Sequence, residues 1–417
     1  MTNRMSANKV KYVTLGLLCL TWLINYFDKV AINVAIIPLS KQFGLSTAHA
    51  GLILSSFFLS YAIMQPIGGY LSDKLGSRKV ILFSAVLWSL FTLLTGFAWS
   101  FASLIAIRFL FGIGEGSYPS ASSVAVAESF PQKQRARAKS ILTSSTTLGA
   151  MIGSLVAATL TSWFGWKYMF VALGAVGFAV CFVLFFFLKP GGQTDPKPAG
   201  EAKAKMPLKQ LVSMPFVWQL TLIYFGASIV TWGMQSWMPS YLVKVHHLDL
   251  VSMGALSSIP SLVGFISVLI TGWLLDKKFA LGREKYFVIV GSVVTAICIY
   301  LMFQAPSVGM VVFYQCLSSL GGVLIVTTVL TMPLKYLDQQ VIGSASGFVY
   351  LGGQVAGIIA PSLMGFMIQS FNGSYQAAFW VMIAAMVFPF FAALTLRRGF
   401  EARIFERTNT HTGEEPA

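Results

Sequence analysis

Twelve apolar runs, each long enough to cross the apolar core of a bilayer, decide what this chain can become. They lie near residues 12–37, 48–72, 79–98, 101–126, 138–163, 166–189, 215–243, 250–275, 286–305, 308–333, 341–370 and 375–396. About 20 helical residues span a hydrocarbon core of ~30 Å. A helix also satisfies its own backbone hydrogen bonds where no water can. The expectation is an all-α membrane protein of 12 transmembrane helices. Composition agrees, with 56% hydrophobic and 10% charged residues, where a soluble domain carries about a quarter charged residues. Cys19, Cys181, Cys298 and Cys316 all fall inside apolar runs. They read as small buried hydrophobes and not as a disulfide framework.

The formal net charge of +15 could suggest a nucleic-acid partner, so its distribution matters. Of the 29 Lys and Arg residues, 24 fall on segments that share a side with the N-terminus; Lys41, Lys167 and Lys244 fall on the other side, and Lys29 and Arg108 fall within spans. Basic loops mark the cytoplasmic side of a membrane protein. The charge is therefore read as topology, with both termini cytoplasmic and no nucleic-acid partner. The first run follows a basic start, as a signal peptide would, but Asp28 and Lys29 interrupt it and no small-residue cleavage site follows. It is read as the first span.

One stretch cannot lie in lipid. Residues 190–209, P-G-G-Q-T-D-P-K-P-A-G-E-A-K-A-K-M-P-L-K, have the composition of a flexible linker. The expected organisation is a six-helix half over 1–189, a cytoplasmic linker over 190–213, a second six-helix half over 214–396 and a cytoplasmic tail over 397–417. The halves echo one another. G-Y-L-S-D-K-L-G-S-R-K from Gly69 answers G-W-L-L-D-K-K-F-A-L-G-R from Gly272, Pro38 answers Pro239, and Gly149 and Gly153 answer Gly353 and Gly357, at offsets of 201 to 204. Duplicated halves are typical of secondary transporters, which bind substrate between the repeats near mid-membrane.

Intramembrane charge points to the same place. Among the 14 acidic residues only Asp28 and Glu115 lie well inside spans, and among the basic ones only Lys29 and Arg108. Each charge costs roughly 2.5–3.5 kcal/mol at a helix centre on insertion scales. The four either pair to pin helices together or take part in transport. Glu115 follows Arg108 by seven residues, two helical turns or about 10 Å along one face. That spacing leaves each free to engage span one. On span one, Asn25, Lys29 and Asn33 recur at helical spacing as a polar stripe. Lys29 is read as the partner of a substrate carboxylate, the alternative being that it neutralises Asp28.

The motifs carry a family resemblance. Gly69 to Lys79 resembles the loop signature between spans two and three of the major facilitator superfamily. R-F-L-F-G-I-G-E-G, Arg108 to Gly116, is similar to its span-four signature, and P-Q-K-Q-R-A-R-A, Pro131 to Ala138, to the loop that follows. Y-F-D-K in span one, Y-A-I-M-Q-P in span two and the Arg–Glu spacing of span four look like the anion:cation symporter branch, which includes bacterial hexonate, hexuronate and glucarate carriers. That branch usually has Arg where Lys29 stands. Arg clamps a carboxylate bidentately, whereas Lys acts as a point charge. The resemblance implies that Asp28 and Glu115 are proton-coupling carboxylates and that Arg108 helps to set their protonation. It further implies that Tyr61 contacts substrate, with Thr146 at a position often polar in the branch. Asp73, Arg78 and Lys79 would form a conformational clasp in the outward-facing state, with Asp276 and Arg283 as a degenerate second copy.

Further polar residues within spans are secondary candidates. Tyr224, Ser228, Thr231 and Gln235 step along span seven; Gln315, Ser318 and Ser319 lie in span ten; Tyr350 and Gln354 lie in span eleven. Trp232 and Trp237 could wall a sugar, although interfacial aromatic belts account for many such residues. For each of these, helix–helix hydrogen bonding is an equal reading. No phosphate-binding G-x-x-x-x-G-K-[ST] motif occurs, and His246 and His247 stand apart from any metal-ligand spacing. Span five lacks the Gly-Pro pair common in superfamily antiporters, which leans towards symport. The chain is thus expected to be a monomeric, multi-pass protein of the bacterial inner membrane and not an enzyme. It would need no cofactor beyond a coupling proton and would import a small organic anion, a hexonate or hexuronate above all. The rival readings are an exporter of drugs or metabolites and a transport-dead sensor.

Overall fold

The computed structural model describes residues 7–189, 213–275, 282–337 and 342–396. The expected linker, apart from Ser213, and the expected tail lie outside these residues, as does Asp276. Thirteen helices make up the described chain: α1 (Ala7–Phe43), α2 (Thr47–Leu75), α3 (Ser77–Thr95), α4 (Phe101–Gly116), α5 (Tyr118–Ser129), α6 (Gln132–Phe187), α7 (Pro215–Lys244), α8 (Leu250–Leu275), α9 (Glu284–Phe303), α10 (Val308–Tyr336), α11 (Ile342–Ser370), α12 (Gln376–Ala385) and α13 (Val387–Thr395).

These helices make twelve crossings. Ten stretches are long and apolar enough to span a bilayer by themselves, and the one inside α6 is 51 residues long. At 1.5 Å per residue that is about 77 Å, enough for two passes. The reversal comes at Gly165, whose φ of 82° is left-handed backbone that a Cβ would disfavour. Two crossings are interrupted instead. Span four breaks between α4 and α5 because Pro119 has no N–H to offer the Glu115 carbonyl one turn back. Span twelve breaks between α12 and α13 at Met386.

With an even number of crossings in each half, the start of α1, the end of α6, the start of α7 and the end of α13 share one face, here the terminal face. At the opposite face Asp249 caps α8. Its Oδ1 accepts from the backbone amides of Val251 and Ser252, both at 2.9 Å. The Ser252 side chain and amide hold its carboxyl below the usual range.

The halves meet through α2 against α11 and α6 against α8. Gly51 lies on the backbone of Pro361 and Ser362, and Gly254 lies on Ala158 and the Ser154 carbonyl. One turn further, the Ser362 amide donates to Ser55 Oγ at 3.1 Å, and Ser258 Oγ donates to the Met151 carbonyl at 2.6 Å. Both seals read G-x-x-x-S, 203 residues apart, so the glycine approach is made twice about the pseudo-twofold axis, with the serine accepting in one copy and donating in the other. Both lie towards the opposite face. Towards the terminal face α11 stays packed on α7, Phe348 lying 4.9 Å from Trp218, while Tyr350 is 46% exposed and, among the described residues, no atom beyond α11's own backbone lies within 4 Å of the site of a Gly347 Cβ. Among the described residues the halves are sealed together towards the opposite face.

Candidate functional site

Three glycines set the depth at which span four packs. A Cβ on Gly112 or Gly116 would strike α2 around Phe57 and Tyr61, and one on Gly114 would strike Leu87 and Trp88 of α3. With hydrogen there instead, α4 sinks against its neighbours and carries Arg108 and Glu115 inward. Glu115 occupies the last turn before the break at Pro119.

All four intramembrane charges come together on α1 and α4. Asp28 and Glu115 are fully buried, Arg108 is 2% exposed and Lys29 is 7% exposed. Lys29 Nζ lies 3.4 Å from Glu115 Oε1, longer than the roughly 2.7–2.9 Å of a tight charge-assisted bond. The second oxygen of Glu115 and both oxygens of Asp28 have no hydrogen-bond partner among the described residues. Asp28 borders Thr92 of α3 and feels both Glu115 and Arg108. Arg108 stacks on Phe111 at 4.5 Å and Phe57 at 5.3 Å, and it makes no ion pair among the described residues. Asn25, fully buried, lies beside Glu115.

Aromatic rings enclose the lysine. Its ammonium lies 4.3 Å from the ring centroid of Tyr61, 4.8 Å from Phe57, 5.6 Å from Tyr26 and Trp232, and 5.9 Å from Phe58. A desolvated cation–π contact is worth up to about 2 kcal/mol, so the cage offsets part of the cost of holding an ammonium here. Trp232 belongs to the second half and packs on Phe58 of the first, with centroids 4.7 Å apart. Its indole N–H donates to the Gly353 carbonyl at 3.1 Å. Gly357 leaves the face on which Phe58 rests.

Beside this cluster, between the halves, is a cavity of about 360 Å³, within the usual range of ligand pockets. Tyr26, the first arm of α6, and α7 to α10 wall it. Among the residues singled out from sequence, Thr146, Thr231, Gln235, Gln315, Ser318 and Ser319 are on its wall. The Asn25–Lys29–Asn33 stripe is not; α1 presents Tyr26 instead, and the Lys29 ammonium lies 5.6 Å from the centroid of that ring. Tyr61 serves the lysine cage. Tyr350 packs on Tyr224 at 5.7 Å, away from the cavity, and Gln354 is off the wall with a buried, unpartnered Oε1. Trp237 is a helix–helix tie, donating to the Pro361 carbonyl at 3.1 Å.

Among the described residues, no hydrogen bond or ion pair joins the clasp residues Asp73, Arg78 and Lys79 to the other half. Asp73 and Lys79 are exposed. Arg78 donates to the Phe185 carbonyl at 2.7 Å within its own half. Ser77 Oγ donates to Glu128 Oε2 at 2.5 Å, and Lys335 Nζ reaches Glu284 Oε1 at 3.4 Å. These two ties occupy equivalent places, 207 positions apart at both ends (77 to 284, 128 to 335). Arg283, expected in a second copy of the clasp, precedes the first residue of α9.

Sequence reasoning missed Tyr26, Phe57 and Phe58 as the lysine's surroundings, and Ser257, Ser261 and Thr295 as cavity hydroxyls. The aromatic pair in S-F-F-L-S was the available signal, since a buried cation needs either an anion or a π face. No group of three or more potential metal ligands occurs among the described residues.

The model of the Major Facilitator Superfamily matches residues 18–283 and 278–411. The chain belongs to the major facilitator superfamily. Among curated relatives, it is 29% identical over 410 residues to the hexuronate transporter of Bacillus subtilis (strain 168), covering 94% of this chain and 96% of the relative. It is 29% identical over 397 residues to the probable sulfoacetate transporter SauU of Cupriavidus necator, covering 89% and 90%. It is 28% identical over 418 residues to the probable galactarate/D-glucarate transporter GarP of Escherichia coli (strain K12), covering 90% and 92%. These relatives are consistent with the anion:cation symporter branch. The fold is also that of a bacterial homologue of the human lysosomal transporter Spinster, solved in an inward-facing, unoccupied conformation, with a TM-score of 0.81, 20% identity, and 98% and 99% of the two chains covered. The protein is thus a multi-pass, all-α membrane protein of a transporter superfamily.

Proposed function

We propose that this protein imports a small organic anion, a sugar acid such as a hexonate or hexuronate, together with protons by alternating access across the bacterial inner membrane, with both termini cytoplasmic. The observation that carries this reading is the loose, buried Lys29–Glu115 ion pair beside a cavity between the halves. While Glu115 is ionised it holds the ammonium. A proton on Glu115 removes that hold, and a substrate carboxylate then neutralises the freed ammonium. Proton and anion therefore favour each other's binding, and by linkage the coupling is reciprocal. Asp28, with no hydrogen-bond partner for either oxygen among the described residues, supplies a second protonation site, and Arg108, buried on the same span as Glu115, helps to set the protonation of both. The hexuronate and aldarate transporters among the relatives support an anionic sugar as substrate, and the excess of basic residues on the terminal face supports the orientation.

The test is Glu115→Gln in proteoliposomes. The variant is expected to lose accumulation driven by a pH gradient and to keep substrate exchange across the membrane. A variant that still concentrates substrate against a gradient would remove Glu115 from the coupling role.

A further inference from the structure

Among the described residues the cavity wall carries no charged side chain, and four of its hydroxyl groups donate within the protein. Thr146 Oγ1 donates to the Thr143 carbonyl at 2.7 Å, Thr231 Oγ1 to the Ala227 carbonyl at 3.0 Å and Thr295 Oγ1 to the Ser318 carbonyl at 3.4 Å. Ser257 Oγ donates to Met253 Sδ at 3.6 Å. A hydroxyl whose hydrogen is committed to its own helix or its neighbour offers only lone pairs to a ligand. Gln315 adds a buried amide oxygen without a partner. The polar side chains of the wall are thus neutral hydroxyls and amides. Lys29 is off the wall, its ammonium 5.6 Å from the centroid of the Tyr26 ring that lines it.

A ligand's hydroxyl groups suit such a wall because each can exchange hydrogen bonds with neutral hydroxyls and amides. A second carboxylate suits it less, because it would give up water with no cation on the wall to meet it. We propose that this cavity receives the neutral, hydroxyl-bearing end of a monocarboxylate, and that it selects an aldonate or uronate over the dicarboxylic aldarate of the same carbon skeleton. The proposal rests on the reading of Lys29 as the anchor for one carboxylate. It adds that no second anchor exists at the far end. On this basis the substrate resembles that of the hexuronate relative more than those of the aldarate relatives.

The experiment compares matched six-carbon acids on the purified full-length protein. Gluconate, glucuronate and glucarate, and the corresponding galacto series, are titrated by thermal shift at pH 5.5, where both carboxyls of an aldarate remain ionised. At least one aldonate or uronate is expected to bind ten-fold or more tightly than its aldarate. An aldarate that binds as tightly as its monocarboxylate partners, or more tightly, overturns the proposal and leaves the anion reading standing. A shift with a lipophilic cation and with none of the acids ends the anion reading and the proposal together. A second arm uses Gln315→Lys, which places a cation at the far end. It is expected to move the aldarate-to-aldonate affinity ratio at least ten-fold towards the aldarate. A correctly folded variant with an unchanged ratio would show that the far end does not lie at Gln315.

Discussion

At the residue scale, the balance of the site turns on one lysine. Removing one partner of a buried ion pair costs about 3–5 kcal/mol, because the other charge is left uncompensated, whereas replacing both can be nearly neutral. Lys29→Met alone should therefore destabilise the protein more than Lys29→Met combined with Glu115→Gln. Thermal unfolding of the three proteins in detergent checks this, and equal losses in single and double variants would mean that the pair does not couple. Lys29→Ala should also abolish substrate affinity, measured by thermal shift, if the ammonium receives the carboxylate. The four charges were legible in the sequence because an ion inside an apolar run stands out against its neighbours. The cage around Lys29 was not, since Phe57, Phe58 and Trp232 look like any other membrane aromatics until span two and span seven are brought face to face. Trp232 and Lys29 are 203 residues apart, and nothing local to either announces the contact.

At the scale of elements, the sealed face depends on the absence of two side chains. A Cβ at position 254 would stand 2.6 Å from Ala158 Cβ and 3.0 Å from the Ser154 carbonyl. Gly254→Val should wedge α8 from α6 and favour the conformation open at the opposite face. A cysteine at position 258 in that background should then react several-fold faster with a membrane-impermeant maleimide added from that face. Unchanged labelling would mean that the seal does not rest on this approach. The helices themselves were readable from length and hydropathy, and the repeat from spacing. The interruption of span four was harder to see, because its cause, Pro119, sits in a run whose hydropathy continues undisturbed. The paired G-x-x-x-S seals also escaped the sequence, since glycine four residues before serine is common and only the fold shows that both copies face the other half.

For the whole molecule, the number of protons per anion decides whether transport responds to voltage. One proton with a monocarboxylate moves no net charge; two move one positive charge inward, worth about 2.3 kcal/mol per 100 mV. If Asp28 and Glu115 both load, an inside-negative diffusion potential at fixed pH gradient should raise accumulation in proteoliposomes. Indifference to potential would assign the transported proton to a single carboxylate. The six-plus-six plan was the most legible property of this chain, because duplication leaves a constant offset that survives when individual residues change.

The ties at 77–128 and 284–335 show what duplication conserves. In one half a serine donates to a glutamate at the end of the next crossing; in the other the glutamate is at the start and a lysine answers it. Each copy inherited the obligation to fasten these two helix ends and was free to choose the atoms. Ancestry in such a protein is therefore carried by places more faithfully than by residue types. Two repeated halves can differ in their residues while fastenings such as these two keep their places.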